Sequence, residues 1–252
     1  MNSVTRNRVI AGAALAAACC SWPAFAQPAG VDAKADAVLR SMTKYMAGLK
    51  QFSAQAENSL EVVTTEGQKI QFTAPATVTV SRPDKLHAER RGDIVDQSFY
   101  YDGKSLTLYD PATKYYATVP APANIDAMLD FARTKLDVFA PGSDLIDTRA
   151  YERLTQDVKA GTYLGLAVVG GHRCHHVAYR GAEVDWQLWV REGNEPIPCR
   201  YVITSKDVAG APQFTMQIVK FSAAPKIDAT KFRFTPPAGA KPVEFLPVGR
   251  AR

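Results

Sequence analysis

The stretch from Ser98 to Tyr109 constrains this chain more than any other. In Ser98-Phe99-Tyr100-Tyr101-Asp102-Gly103-Lys104-Ser105-Leu106-Thr107-Leu108-Tyr109 an Asp-Gly pair separates two alternating runs rich in aromatic and aliphatic residues. Asp-Gly supplies the positive φ angles of a two-residue turn, so the flanking runs must pair antiparallel. With Asp102 and Gly103 at the centre of the turn, Phe99 is expected opposite Leu106 on one face and Tyr100 opposite Ser105 on the other. Any fold for this chain must therefore contain an antiparallel sheet.

The same period of two recurs on both sides of the hairpin. A long strand is expected from Phe52 through Val62, then a turn at Thr65-Glu66-Gly67-Gln68. A bent strand follows, running through Ile70 and Val80 and broken at Pro75, where the missing N–H favours an edge or a bulge. Arg82-Pro83-Asp84-Lys85 turns into an alternating run ending at Arg90, and a further strand spans 114–119. Four more strand-like runs, 174–180, 185–191, 200–206 and 213–221, follow one at 163–169. Their short connections imply antiparallel neighbours.

Helical spacing interrupts this pattern three times. Val38, Leu39, Met42, Tyr45, Met46 and Leu49 form an apolar stripe on a helix over 31–49 that Asp32 can cap. Asn124 can cap a second helix over 125–139, with Ile125, Met128, Leu129, Ala132, Leu136 and Phe139 on one stripe. A shorter helical piece is expected over 148–158. The paired phenylalanines and prolines of 232–240 read as an end docked on the sheet.

The first 26 residues read as a targeting segment. Arg6 and Arg8 precede a small-apolar run over 9–20, and Ala24-Phe25-Ala26 offers a cleavage site. The run falls short of the roughly 20 residues that cross a bilayer. An alternative is lipid anchoring at Cys19, with Ala16-Ala17-Ala18-Cys19 as the processing site. Residues 27–252 then form a single domain. Losing Arg6 and Arg8 lowers the formal net charge from +5 to +3. That mild balance makes no electrostatic case for nucleic acid. Of four cysteines, Cys174 and Cys199 would remain in an oxidising compartment, and a disulfide between them is the economical reading.

These elements, in this order, resemble the lipoprotein-carrier fold of the LolA/LolB type, and within it a family of predicted periplasmic proteins, domain of unknown function 2092. The likeness rests on Arg82-Pro83-Asp84-Lys85-Leu86, the run from Tyr101 to Asp110, Cys174-His175-His176-Val177-Ala178-Tyr179-Arg180, Asp185-Trp186-Gln187-Leu188-Trp189 and the Phe-x-Phe-x-Pro-Pro-x-Gly-Ala ending. The resemblance implies a mainly β, α+β fold: a curved, half-open antiparallel barrel with an N-terminal helix and inserted lid helices. It also implies a periplasmic monomer that carries a lipid or lipoprotein acyl chain, with transient contact to a membrane or membrane protein. Carriers of this type use a strand arginine to bond the lid, for which Arg82, Arg90 and Arg91 are candidates.

Candidate cavity liners are Phe99, Leu106 and Leu108 on the hairpin, Val184, Trp186 and Leu188 on a later strand, and Met128, Leu129 and Phe131 on the inserted helix. The flexible Met thioether suits variable guests. Apolar faces are equally what a filled core requires, so the residues leave open whether a vacancy exists. Two other readings compete. One is a periplasmic interaction or stress-sensing module that binds a peptide or protein partner. The other is metal binding, since His172, Cys174 and His176 alternate onto one strand face, but a Cys174–Cys199 disulfide would remove the soft ligand. An enzyme is not expected. Gly-x-Ser-x-Gly, phosphate-loop and His-Glu-x-x-His motifs are missing from the sequence, and adjacent Asp185 and Trp186 would point to opposite faces of a strand. No cofactor is expected either.

Overall fold

The computed structural model describes residues 30–138 and 140–245. The expected targeting segment, the alternative anchor at Cys19 and the helical position Phe139 lie outside them. Helix α1 spans Ala33–Gly48, and Asp32 caps it by accepting from the Lys34 N–H at 2.7 Å. Seven strands follow: β1 Gln51–Val63, β2 Lys69–Thr73, β3 Ala76–Ser81, β4 Lys85–Arg91, β5 Asp96–Tyr101, β6 Ser105–Asp110 and β7 Tyr115–Pro120. Helices α2 (Ile125–Lys135) and α3 (Ala150–Thr155) come next. The chain then adds β8 Ala160–Val169, β9 His172–Arg180, β10 Val184–Arg191, β11 Pro198–Ser205, β12 Gln213–Ser222 and β13 Lys241–Pro242.

All thirteen strands join one open sheet in the order β13-β7-β6-β5-β4-β3-β1-β12-β11-β10-β9-β8, with β2 paired to the far end of β1. It consists of two antiparallel meanders laid side by side, β3 to β7 and β8 to β12, with β1 between them. Helices α2 and α3 are the insertion that separates the meanders in sequence. The fold is the mainly β, curved and open sheet expected from the sequence, and the expected bent strand appears as β2 and β3, which both pair with β1 on either side of Ala74 and Pro75. Helix α2 ends at Lys135, where Asn124 caps its other end through the Ala127 N–H.

The central hairpin departs from the expected register. Phe99 pairs with Leu108 and Tyr101 with Leu106, so Phe99 is not opposite Leu106. Gly103, at φ 87°, is the residue of the turn with positive φ. Asp102 instead uses its carboxylate, accepting from the N–H groups of Lys104 and Ser105. The turn thus centres one residue later than an Asp-Gly turn would, and each partner moves by two. A shift of two leaves every side chain on its original face.

The helices lie on the inner face. Tyr179 of β9, stacked on Trp186, donates to the Ala35 carbonyl of α1 at 2.8 Å and ties that helix to the second meander. Gly161 of β8 lies so close to Tyr179 that a Cβ there would meet the ring at 2.7 Å. On the outer face the C-terminal segment folds back, and Phe234 sits among Tyr100, Tyr109 and Tyr116 with ring centroids 5.0–5.3 Å away.

Cys174 and Cys199 form a disulfide, as expected. The bond joins β9 to β11 across the end of β10, so it links next-but-one strands and not the two arms of one hairpin. With Val169 and Trp189 it makes a small outer-face cluster separate from the main core.

Candidate ligand cavity

Between the inner face and α2 with the segment after it lies a cavity of about 500 Å³. That is inside the range of roughly 300–1,000 Å³ found for small-molecule sites. Its floor explains why the space exists. Inward positions of the three central strands carry Ala54 and Ala56 on β1, Ala76 on β3 and Ala88 on β4. Strand backbones stand a fixed distance apart, so a row of methyl groups beneath a helix leaves a gap that larger side chains would close. Phe52, Leu86, Met46 and Leu106 enclose the inner end, and Phe214, Leu60 and Pro141 flank the outer end.

The nine residues singled out from the sequence divide. Phe99, Leu106, Met128, Leu129 and Val184 line the cavity; Leu108, Phe131, Trp186 and Leu188 do not. Leu108 shares the inner face with Leu106 but lies two residues further along β6. Phe131 falls off the helical stripe formed by Met128, Leu129 and Ala132. Trp186 and Leu188 are on the correct face but at the end that α1 covers, where both are buried in the filled core. The sequence reasoning missed the alanines, and with them Ile203, Phe214 and Met216. The signal available was the alternation Phe52-Ser53-Ala54-Gln55-Ala56, in which small residues occupy the inward positions.

The cover is held by polar links. Asp130 of α2 accepts from Arg153 of α3 at 2.6 Å, and Arg153 and Arg149 both reach the buried Asp147 carboxylate. Asp36 of α1 bonds Arg40 at 2.7 Å and Tyr151 of α3 at 2.5 Å. Burial, and then the Asp36 carboxylate, push the Tyr151 hydroxyl up to about 12. Tyr101, pushed up to about 12 chiefly by burial, donates to the Pro122 carbonyl ahead of α2.

Three arginines were candidates to bond the cover, and they prove distinct. Arg82 donates to the Ile146 carbonyl at 2.6 Å and the Leu49 carbonyl at 3.2 Å, joining the β3–β4 turn to the cover and to the end of α1. Burial holds its pKa down, opposed by Asp126 and Asp147. Arg91 pairs with Glu89 and Asp96 on the outer face. Arg90 lines the cavity and donates to Gln97.

The histidine cluster is engaged elsewhere. His176 stacks on Trp189 at 3.9 Å and bonds Gln187, and His175 bonds the Tyr163 hydroxyl at 3.0 Å. Cys174 is committed to its disulfide. Among the described residues no group of three His, Cys, Asp or Glu side chains is placed to share a metal ion.

Residues 35–246 match one protein-family model, described as "Predicted periplasmic protein (DUF2092)". Among solved structures, an uncharacterised conserved protein from Thermus thermophilus is similar at 13% identity, covering 84% of this chain and 99% of that one, with a TM-score of 0.50. LprF from Mycobacterium bovis is similar at 16% identity, over 83% of this chain and 99% of its own, with a TM-score of 0.49. The Mycobacterium tuberculosis lipoprotein LppX is similar at 13% identity, over 78% and 100%, with a TM-score of 0.47. At these identities the likeness concerns the fold alone. No curated protein matches the chain.

Proposed function

From the premise that this chain belongs to the DUF2092 family of predicted periplasmic proteins, we propose that it is a binding or carrier protein that holds an apolar acyl ligand and performs no chemistry on it. The observation that carries this reading is the cavity of about 500 Å³ with its alanine floor, under a cover pinned by side-chain bonds. Each methylene moved from water into such a space gains about 0.8 kcal/mol. The links that hold the cover set how readily the guest leaves. The test is organic extraction and mass spectrometry of protein recovered from the periplasm. Acyl lipid in near-stoichiometric amount is expected. Protein that yields none, and that also fails to bind an added fluorescent fatty acyl probe, would overturn the reading.

A partner-binding role is the second reading, favoured by one specific feature. Strand β8 ends the sheet, and Leu164, Leu166 and Val168 on it are exposed. An extended partner segment could add to such an edge. Substituting Leu166→Lys should then abolish partner capture while leaving acyl binding intact.

A further inference from the structure

Among the described residues Arg90 is a cation without an anionic partner, set in an apolar cavity wall. It is half-buried, its only side-chain bonds run to the neutral Gln97 Oε1, at 3.1 Å from Nε and 2.6 Å from Nη2, and it joins no ion pair. The neighbouring acids are occupied. Glu89, next in the strand, also borders the cavity, but its carboxylate turns to Arg91 at 3.9 Å and lies 3.5 Å from the His87 ring, and it makes no ion pair with Arg90. Asp96 lies 3.6 Å from Arg91 through a buried Oδ1 that accepts no hydrogen bond among the described residues, Asp93 accepts from the Thr73 N–H and hydroxyl, and Asp144 at the cavity wall pairs with Arg133. Burial pushes the Arg90 pKa down with no carboxylate to offset it, yet guanidinium stays charged at any working pH. A desolvated cation without a counter-charge is costly, and a natural protein rarely retains one without use.

Its position along the strand gives it a use. Leu86, Ala88 and Arg90 alternate inward on β4, so about 13 Å of strand separates the Cα of Arg90 from that of Leu86 at the apolar inner end. Resting on the carrier reading above, we infer that the ligand is a single-chain carboxylate amphiphile, a long-chain fatty acid whose headgroup pairs with Arg90 and whose tail runs over the alanine floor.

Gln97 uses two of the five guanidinium N–H groups, and the rest suffice for a bidentate carboxylate. One positive charge matches one carboxylate, whereas a phosphate headgroup would leave part of its charge unpaired. A cavity of about 500 Å³ floored by methyl groups accommodates one long acyl chain.

The test compares hexadecanoate, hexadecanol and hexadecyl phosphate on the delipidated full-length protein and on Arg90→Gln and Arg90→Lys. The native protein should prefer hexadecanoate over hexadecanol by at least tenfold. Arg90→Gln should erase the preference, and Arg90→Lys should keep part of it. Equal binding of acid and alcohol by the native protein would remove the headgroup assignment and leave the carrier reading standing. Binding of neither would remove the carrier reading as well. Tighter binding of the phosphate would overturn the carboxylate assignment. The comparison on the native protein decides the matter even where a variant folds poorly.

Discussion

Replacing Ala88 by leucine should weaken ligand binding and stabilise the protein in one step. Ala88 lies between Val78 and Phe99 in the sheet, and its methyl group faces the cavity. Leucine adds three carbons to a space of about 500 Å³. The addition fits without overpacking, but it displaces about three methylenes of a guest. At ~0.8 kcal/mol each this costs about 2.4 kcal/mol of binding, or roughly 50-fold in affinity. In the empty protein the same three carbons cover apolar wall that faced a void. After about 1 kcal/mol of lost side-chain freedom, a net gain of about 1 kcal/mol remains, which raises Tm by roughly 2–4 °C for a chain of this size. Competition against a fluorescent acyl probe reads the affinity, and thermal unfolding of delipidated protein reads the stability. Opposite movement of the two is the expected signature. Unchanged affinity together with a Tm loss matching the ~1–3 kcal/mol of an overpacked core would refute the reasoning, because it would mean that the space beside Ala88 is already filled.

Arg82→Leu should free the cover: losing two charged hydrogen bonds to carbonyls, at about 1.5–3 kcal/mol each before relaxation, is expected to speed amide exchange around Ile146 and shorten ligand residence more than it slows association. Replacing both Cys174 and Cys199 by serine should cost about 3 kcal/mol in chemical denaturation, given a sequence separation of 25, yet leave acyl affinity nearly unchanged, since the bond lies in the outer-face cluster. Stability should also depend on pH through His87. Burial depresses its pKa, and its Nδ1 has no partner among the described residues, so the unfolded chain binds the proton first. The stability present above the unfolded value of about 6.5 is lost as the pH falls below it. His176, depressed by burial as well, adds to the same slope, and His87→Gln should flatten its own share of a Tm-against-pH plot.

Much of the fold was legible because strand and helix periods are local signals. The Asp102-Gly103 pair announced the hairpin, Asp32 and Asn124 marked where two helices begin, and the export-like beginning with its two later cysteines pointed to the disulfide. The hairpin register was misplaced by two residues, because Asp102 used its carboxylate to hold the turn while its backbone kept negative φ. Face assignments survived that error only because it was even.

The cavity was the less legible part. Sequence reasoning looks for walls among large apolar residues, and so it chose Trp186 and Leu188, which share a face with Val184 but lie where α1 fills the interior. The order of residues determined which side chains turn inward, since alternation along a strand is set by the backbone. Whether those side chains meet one another or enclose a space depends on how far the cover stands from the sheet and which inward positions lie beneath it. That distance arises from the pairing of β1 with both β3 and β12 and from the link of Arg82 to the Ile146 carbonyl of the cover, joining residues far apart in the chain. Only the assembled sheet and its cover bring Ala54, Ala56, Ala76 and Ala88 into one floor and leave Arg90 at its outer end without a counter-charge.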